Sequence, residues 1–232
     1  MSKKLNVVIL TGAGISAESG IQTFRDAKGL WEGHDVMQVA SPEGFAKNPA
    51  LVLDFYNQRR AQLHEVAPNA GHLALKDLEA HFEVAVITQN VDDLHERAGS
   101  SRVLHLHGEL FKKRSSLDPD NIQPCKEDIL LGQTCSKGGQ WRPHIVWFGE
   151  DVPMLGVAAA WAELADIFIV VGTSMQVYPA AGLIHYVPKA SPKFYVDPNP
   201  AQLPHLDNLK VLAEPATTGL PALVAELIEK YG

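Results

Sequence analysis

The sequence predicts a doubly wound α/β fold, in which helices cover both faces of a parallel, Rossmann-like sheet. Short apolar runs rich in β-branched residues recur along the chain, and most are unbroken, as in strands buried on both faces. Helical patterns lie between these runs, and this alternation favours a parallel sheet. Two segments lack the alternation, and we expect them to form a second, smaller lobe.

Six runs are the predicted strands, and they cover residues 5–10, 84–88, 103–107, 167–171, 194–196 and 209–212. Helical spacing predicts helices over residues 49–64, 71–80, 91–98, 157–165, 180–186 and 221–230. The segments without clear alternation are 21–70 and 111–150. We therefore expect a single catalytic domain over 1–232. Its large lobe comprises approximately 1–26, 71–110 and 151–232, and insertions at approximately 27–70 and 111–150 form the small lobe.

Composition and charge limit the possible partners. The formal net charge of −7 argues against a nucleic-acid partner, because phosphate binding needs a basic face. The sequence contains no run of about 20 apolar residues, so we expect no membrane association. Only Cys125 and Cys135 occur, and the apolar run near the N-terminus is too short for a signal peptide. These features predict a cytoplasmic protein, and we expect a monomer.

A glycine-rich turn follows the first predicted strand. Gly12, Gly14 and Ala17 satisfy the G-x-G-x-x-[GA] spacing, in which the glycines allow a tight turn and a close approach to a pyrophosphate. The acidic ribose ligand expected about 20 residues later, at the end of a second strand, is missing. This absence argues against an ordinary dehydrogenase. A glycine turn without a ligand is the alternative interpretation.

Four sequence blocks resemble the signature motifs of the sirtuin family. In chain order they are GAGISAESGIQTFRD (12–26), TQNVDDLH (88–95), LHGE (106–109) and GTS (172–174). The resemblance implies an NAD-dependent protein-lysine deacylase that uses NAD as a co-substrate. Its substrates would be acyl-lysine proteins or peptides, and its products nicotinamide, free lysine and O-acyl-ADP-ribose.

The resemblance also implies the catalytic residues. His107 would be the general base toward the ribose hydroxyls of NAD, and a neutral imidazole suits that role at cytoplasmic pH. Asn90 would position the ribose and a water, and Asp92 would hold the nicotinamide carboxamide. Helix capping is the alternative role for both of these residues. His105 could form a metal pair with His107, but the sequence places no carboxylate or cysteine nearby to complete such a site.

The family's cofactor contacts map onto several turns of the chain. Phe24 and Arg25 would cover the nicotinamide ribose, Ala216 would lie beneath the adenine, and Asp197 stands where many sirtuins have Asn. The full expected set is Gly12, Ala13, Gly14, Ser16, Ala17, Glu18, Thr23, Phe24, Arg25, Gln89, Asn90, Val91, Asp92, Gly172, Thr173, Ser174, Asp197, Pro198, Asn199 and Ala216.

Two further segments are expected to bind the substrate. The resemblance makes Val146, Trp147, Phe148, Gly149 and Glu150 a substrate strand, which pairs with the acyl-lysine peptide through backbone hydrogen bonds. Tyr56 and Arg59 are three apart on a predicted helix and resemble the pair of desuccinylating and demalonylating sirtuins. A guanidinium and a phenol can together bind a distal carboxylate. A half-buried Tyr beside a solvated Arg is the alternative interpretation.

The zinc signature of most sirtuins, two C-x-x-C pairs, is absent from this sequence. A closed structural zinc site needs four ligands, so we expect no zinc. Three other functions stay open at this stage. They are a nicotinamide oxidoreductase, a non-catalytic NAD-binding module and a protein mono-ADP-ribosyltransferase.

Overall fold

The computed structural model describes residues 3–22, 30–31, 33–203 and 206–232. Its strands are β1 (Asn6–Thr11), β2 (Leu30–Trp31), β3 (His34–Asp35), β4 (Glu83–Thr88), β5 (Val103–His105), β6 (Gly108–Ser115), β7 (Ile122–Pro124), β8 (Trp141–Ile145), β9 (Ile167–Val171), β10 (Lys193–Val196) and β11 (Leu209–Leu212). Its α-helices are α1 (Val36–Val39), α2 (Pro42–Lys47), α3 (Pro49–Glu65), α4 (Ala70–Asp77), α5 (Leu94–Ala98), α6 (Leu155–Glu163) and α7 (Ala216–Tyr231). Short 3₁₀ helices span Ala13–Ile15, Ala17–Ser19, Leu78–Ala80 and Ala180–Tyr186.

Six parallel strands form the main sheet in the order β11-β10-β9-β1-β4-β5. The chain extends the sheet from β1 through β4 to β5 on one side, and from β9 through β10 to β11 on the other. The order therefore reverses between β1 and β9. In open α/β sheets, ligands bind beside the carboxyl ends of the strands at this reversal.

The sheet is covered on both faces, as its unbroken apolar strands predict. Val7 and Ile9 of β1 pack with α4 and α7, whereas Val8 and Leu10 pack on the opposite face with α6 and the Ala180–Tyr186 helix. Successive side chains of a strand point to opposite faces, so a strand buried on both sides must be apolar throughout. The predicted doubly wound α/β fold is confirmed.

The remaining elements form a second apolar cluster around α3. Phe55 and Tyr56 of α3 pack there with Leu110, Ile145 and Trp147, which belong to the three-stranded antiparallel sheet β7-β6-β8 and the residues after it. The two segments without strand–helix alternation thus lie against each other. The lobe boundaries given above stay a prediction.

Several predicted element bounds are wrong, as three examples show. The strand predicted over 103–107 ends at His105, because the chain turns before Gly108, whose φ of +82° starts β6. The helix predicted over 91–98 begins at Leu94, and the one predicted over 221–230 begins at Ala216. In the last case Pro221, interpreted as a helix start, lies inside the helix.

Candidate active site

The turn after β1 lies directly against the turn after β9. Gly12 N donates to Val171 O (2.9 Å) and Gly14 N to Gly172 O (2.8 Å). A Cβ at Gly14 would lie 2.6 Å from Gly172 Cα, so no larger residue fits between the two backbones. The two glycines therefore allow the turn after β1 to pack against the turn after β9. Because both amides already donate, a phosphate bound here would depend on other donors.

Thr173 offers such a donor at the same place. Its Oγ1 accepts hydrogen bonds from Gln89 Nε2 (3.1 Å) and from Met175 N (3.3 Å). With two donors directed at its oxygen, the hydroxyl proton is left to donate to a further acceptor. Tyr195 Oη donates to Thr173 O (2.7 Å), which fixes the backbone of the turn. The polar character of this turn fits a phosphate or ribose ligand.

A buried hydrogen-bond network joins the first two motifs. Ser16 Oγ donates to Asp92 Oδ2 (3.0 Å) and accepts from Asn90 Nδ2 (3.2 Å). Burial raises the pKa of Asp92, and hydrogen bonds from Leu94 N and Ser16 oppose that rise. The structure thus brings together three predicted site residues from turns 74 and 76 residues apart in the chain.

The capping alternative holds for only one of the two residues. Asp92 Oδ1 accepts from Leu94 N (3.1 Å), so this carboxylate supports the start of α5 while its other oxygen faces Ser16. Asn90 is not a helix cap, because the residue preceding α5 is Asp93. The side chain of Asn90 instead serves the buried network.

His72 completes this network and was missed in the sequence analysis. Its Nδ1 accepts from Asn69 N (3.3 Å), so its proton lies on Nε2, which is 3.5 Å from Ser16 Oγ. Burial lowers the pKa of His72 to about 4, and the ring is therefore neutral. Asn69 and His72 form a capping box at the start of α4, and their spacing was the signal available in the sequence.

His107 is positioned as a neutral base. Its Nδ1 lies 3.0 Å from Gln89 O, and a carbonyl oxygen can only accept, so Nδ1 carries the proton. Nε2 therefore keeps its lone pair. Burial lowers the pKa of His107 below the usual histidine value, against the opposing effect of the Gln89 carbonyl. A neutral imidazole with a defined tautomer is what general-base catalysis at neutral pH needs.

The tertiary structure brings a carboxylate to His105, which the sequence analysis had not found. Glu96 Oε1 lies 2.8 Å from His105 Nε2, and Nδ1 of the same ring lies 3.0 Å from Asn90 O. Both ring nitrogens are therefore occupied. Within residues 3–22, 30–31, 33–203 and 206–232 there is no group of three or more His, Cys, Asp or Glu side chains that could hold a metal. The pair is an ion pair.

Other expected cofactor contacts lie in turns around this site. Glu18 Oε2 accepts from Thr217 N (3.3 Å), which joins the turn after β1 to the start of α7, where Ala216 is buried. Asp197 is buried after β10, and its Oδ1 accepts from Asn199 N (2.8 Å). The expected contacts Ala13 and Ala17 lie in the 3₁₀ turns after β1. The other expected contacts are neighbours of residues already described: Val91 follows Asn90, Ser174 follows Thr173, and Pro198 follows Asp197. Thr23, Phe24 and Arg25 lie outside the described residues.

The predicted substrate strand is a turn in this structure. β8 ends at Ile145, and Trp147 N donates to Glu150 Oε2 (2.8 Å) across a turn in which Gly149 has φ +90°. Arg114 and Arg142 bind the Glu150 carboxylate at 2.6 and 2.8 Å. The strand assignment for 146–150 is therefore wrong, because an ion-paired carboxylate closes the segment on itself.

Tyr56 and Arg59 both lie on α3, but their environments differ. Tyr56 is completely buried, and its Oη accepts a hydrogen bond from Trp147 Nε1 (2.9 Å). Tyr56 is therefore more deeply buried than the alternative interpretation expected, and such burial also suits a purely structural role. Arg59 is partly buried, with its guanidinium 5.2 Å from the centre of the Phe55 ring. The structure thus connects two expected substrate residues, Tyr56 and Trp147.

Both cysteines are free thiols in an apolar cluster. Cys125 and Cys135 are buried with Leu53, Ile129 and Trp141. Ser115 Oγ lies 3.2 Å from Cys135 Sγ. Apolar packing and this hydrogen bond hold this end of the antiparallel sheet. Elsewhere, no helix in the described part of the chain combines the length and the apolar character needed to cross a bilayer.

A known protein family matches this chain over a range that contains all four sequence blocks. The Sir2 family model matches residues 12–179. An NAD-dependent protein deacylase from Helicobacter pylori is 56% identical over 225 residues, covering 97% of this chain and 98% of its own length. One from Bacteroides thetaiotaomicron is 53% identical over 229 residues, with 96% and 98% covered.

Solved structures agree with the fold. A complex of a Sir2 homologue mutant with ADP-ribose superposes with a TM-score of 0.89 at 38% identity, covering 97% of this chain and 93% of that one. A complex of a Sir2 homologue with NAD gives 0.88 at 37% identity, covering 99% and 91%. The family model matches more than half of this chain, and both relatives are more than 50% identical to it. This chain therefore belongs to the Sir2 family of sirtuins.

Proposed function

We propose that this chain is an NAD-dependent protein-lysine deacylase that releases nicotinamide and O-acyl-ADP-ribose. The observation that carries the proposal is the site at the β1–β9 reversal. There the Ser16–Asn90–Asp92 network lies close to the turn that carries a neutral His107, which is bonded to Gln89 O. Relatives of more than 50% identity are named NAD-dependent protein deacylases. A Sir2 homologue of 37% identity forms a complex with NAD.

Each residue of the site has a role that follows from its chemistry. NAD would supply the ribose that accepts the acyl group and the nicotinamide that leaves. His107 Nε2 takes a proton from a ribose hydroxyl, because its lone pair is free and its Nδ1 is anchored on Gln89 O. Asp92 would hold the carboxamide of nicotinamide, and hydrogen bonds from Ser16 Oγ and Leu94 N fix its two oxygens in place. Thr173 donates its hydroxyl proton to a phosphate or ribose oxygen.

Mass spectrometry of an acetyl-lysine peptide incubated with the protein, with and without NAD, tests the function. We expect free lysine only with NAD, together with soluble acyl-ADP-ribose. Equal deacylation without NAD contradicts the proposal. Labelled NAD separates the alternatives, because mono-ADP-ribosyl transfer leaves the label on protein, whereas deacylation leaves it in solution.

Acyl selectivity is the finer part of the proposal: the enzyme also removes succinyl and malonyl groups. Because Trp147 Nε1 donates to Tyr56 Oη, the phenol keeps its own proton for an acyl carboxylate. Burial raises the pKa of Tyr56 above its ordinary value, so the phenol stays a donor at neutral pH. The ring is fully buried here, and an acyl carboxylate would reach it only after neighbouring side chains shift.

Arg59→Met is expected to lower kcat/KM for succinyl-lysine peptides by about 10- to 100-fold, the effect of losing a charge-assisted hydrogen bond worth about 1.5–3 kcal/mol. Acetyl turnover should stay within about threefold, since it uses no carboxylate. Arg102→Met is the matched control, because Arg102 also stacks on an aromatic ring, that of Trp161, at 4.0 Å. An equal fall for both acyl groups shows that Arg59 is not a selectivity residue.

The zinc-free lobe is a further prediction of this proposal. Cys125 and Cys135 are the two cysteines of the sequence, and a closed structural zinc site needs four ligands, so we expect no structural zinc. Treatment with EDTA should therefore leave the thermal midpoint and the deacylation rate unchanged. Metal analysis of protein purified without chelator gives the complementary measurement, and about one zinc per chain overturns the prediction.

A further inference from the structure

Three successive carbonyl oxygens of the loop after β4 accept hydrogen bonds from one segment of chain. Gln89 O accepts from His107 Nδ1 (3.0 Å), Asn90 O from His105 Nδ1 (3.0 Å) and Val91 O from Leu110 N (2.8 Å). The loop that carries Asn90 is therefore aligned by side chains two residues apart, His105 and His107. Only His107 has a role in the mechanism above.

The partners of His105 require a charged ring. Nδ1 faces a carbonyl oxygen and Nε2 faces the Glu96 carboxylate, and both of these groups can only accept. Burial raises the pKa of Glu96, but the hydrogen bond and the charge of His105, with smaller effects from a backbone hydrogen bond and Lys112, together lower it below its usual value. His105 must therefore donate from both nitrogens, which makes it an imidazolium. His107 faces one such acceptor, Gln89 O, so a neutral ring with its proton on Nδ1 satisfies it.

The charges around His105 support this assignment. Burial disfavours the charged ring, but Glu96 on α5, the Asn90 carbonyl and Glu109 on β6 together raise the pKa of His105 above the usual value. The carboxylate of Asp92 also interacts with this charge. Lys112 binds Glu109 at 2.6 Å and offsets part of its effect. The ring of His95 on α5 is neutral, because burial lowers its pKa well below the usual value.

The contact made by His105 determines where Asn90 points. Asn90 N donates to Thr88 Oγ1 (3.0 Å), its carbonyl accepts from His105, and its side chain donates to Ser16 (3.2 Å). With its N–H and carbonyl both held, the backbone of Asn90 cannot rotate, so the side chain has one direction. Without His105, the peptide that follows Asn90 is free to turn.

We propose that His105 and Glu96 are a positioning pair for the deacylase reaction: His105 holds the Asn90 backbone in the orientation in which its side chain reaches Ser16, and Glu96 keeps both ring nitrogens of His105 as donors. The inference rests on the proposed function. It assigns no contact with substrate or NAD to either residue. Both act through Asn90.

Three variants test the pair. His105→Leu removes both hydrogen bonds and is expected to lower kcat about 100-fold with little change in the KM for NAD, as a misplacement of about 1 Å at a reacting group does. His105→Asn keeps a donor near the position of Nδ1 and should recover most of this loss. In the His105→Asn background, Glu96→Gln should have no further effect, since the two residues act as one unit.

Glu96→Gln alone changes the pH dependence. In the wild type, His105 keeps its proton above pH 6.5 and loses it as pH rises through its raised pKa. When the wild-type ring loses a proton, the one that remains faces the Glu96 carboxylate, so the bond from Nδ1 to Asn90 O is lost. In Glu96→Gln burial makes the ring neutral at lower pH, but its one proton can stay on Nδ1 while Nε2 accepts from the new amide. The alkaline limb that His105 gives the kcat profile should therefore be lost in Glu96→Gln. Glu226→Gln is the matched control, because it breaks a 2.6 Å ion pair with Lys210 far from the site.

Two readouts separate positioning from simple stability. Ring ¹⁵N NMR of the protein without NAD should show both nitrogens of His105 protonated at pH 7 in the wild type, and a neutral ring in Glu96→Gln. Glu96 is 43% exposed, so this variant is expected to fold even if His105→Leu does not. The kcat values and pH profiles are compared among variants with the same thermal midpoint.

The outcomes are distinct. A wild type without NAD-dependent deacylation contradicts the proposed function itself. An active wild type whose Glu96→Gln variant keeps the same kcat, the same pH profile and a protonated His105 ring contradicts the inference alone. A fall in kcat in His105→Leu that His105→Asn recovers in part, together with the loss of the alkaline limb in Glu96→Gln, supports it.

Discussion

Replacing His107 with alanine is expected to lower the kcat of deacylation by about 10²- to 10⁴-fold, the usual contribution of a positioned general base. The residue offers a neutral Nε2 because its Nδ1 proton is committed to Gln89 O. One hydrogen bond, worth about 1 kcal/mol, is lost with it, so the variant should stay folded. Steady-state kinetics on an acetyl-lysine peptide give the rate, and circular dichroism checks the fold.

The pH profile gives the same group a second test. Because burial lowers the pKa of His107 below 6.5, the base is fully available at pH 7, and activity should fall only as pH drops through that lowered value. His81→Ala serves as the control, since this exposed histidine lies outside the site. Full turnover in His107→Ala, or an acid limb that persists in it, contradicts the assignment.

Gly172→Ala is expected to cost about 2–5 kcal/mol of unfolding free energy, a large part of the stability of an ordinary domain. Gly172 has φ +59°, and a Cβ there would lie 2.4 Å from Ile15 N and 2.6 Å from Gly14 C. Those neighbours are backbone atoms, so the strain cannot be relieved by a side-chain rotation. The turns after β1 and β9 must separate, and activity should fall with stability.

Urea denaturation measures this change through the transition midpoint and slope. Gly156→Ala is the matched control, because Gly156 lies in α6 with no atom within 4 Å of an added Cβ. The control should be neutral or stabilising by up to about 1 kcal/mol. An unfolding free energy for Gly172→Ala within about 0.5 kcal/mol of the wild type contradicts the packing argument.

Local patterns predicted the fold well where one interaction dominates. The unbroken apolar runs of β1 and β9 mark strands that must be buried on both faces, and no long-range information was needed. The sequence signals failed where a tertiary contact competes with them. Glu150 accepts from Trp147 N and turns the predicted substrate strand back on itself, and Asp92 delays the start of α5 to Leu94.

The candidate site divides in the same way. Asn90, Asp92 and His107 stand in contiguous motifs, so their place in the turns after the strands could be predicted from their neighbours in the chain. The contributions of His72, Glu96 and Trp147 could not. The contact that each makes in the site needs a partner at least nine residues away, so no local pattern marks that contact. For His72 the spacing from Asn69 marks only the capping box.

The amino-acid sequence by itself determined the order of the main-sheet strands and of most helices between them, and it marked the turns that carry the candidate site residues. These properties follow from side-chain periodicity and short motifs, which act over a few residues. Only the tertiary structure decided the charge states of the histidines. His105 and His107 are two residues apart on the same turn, and they differ because a folded neighbour, Glu96, lies beside one ring and not beside the other.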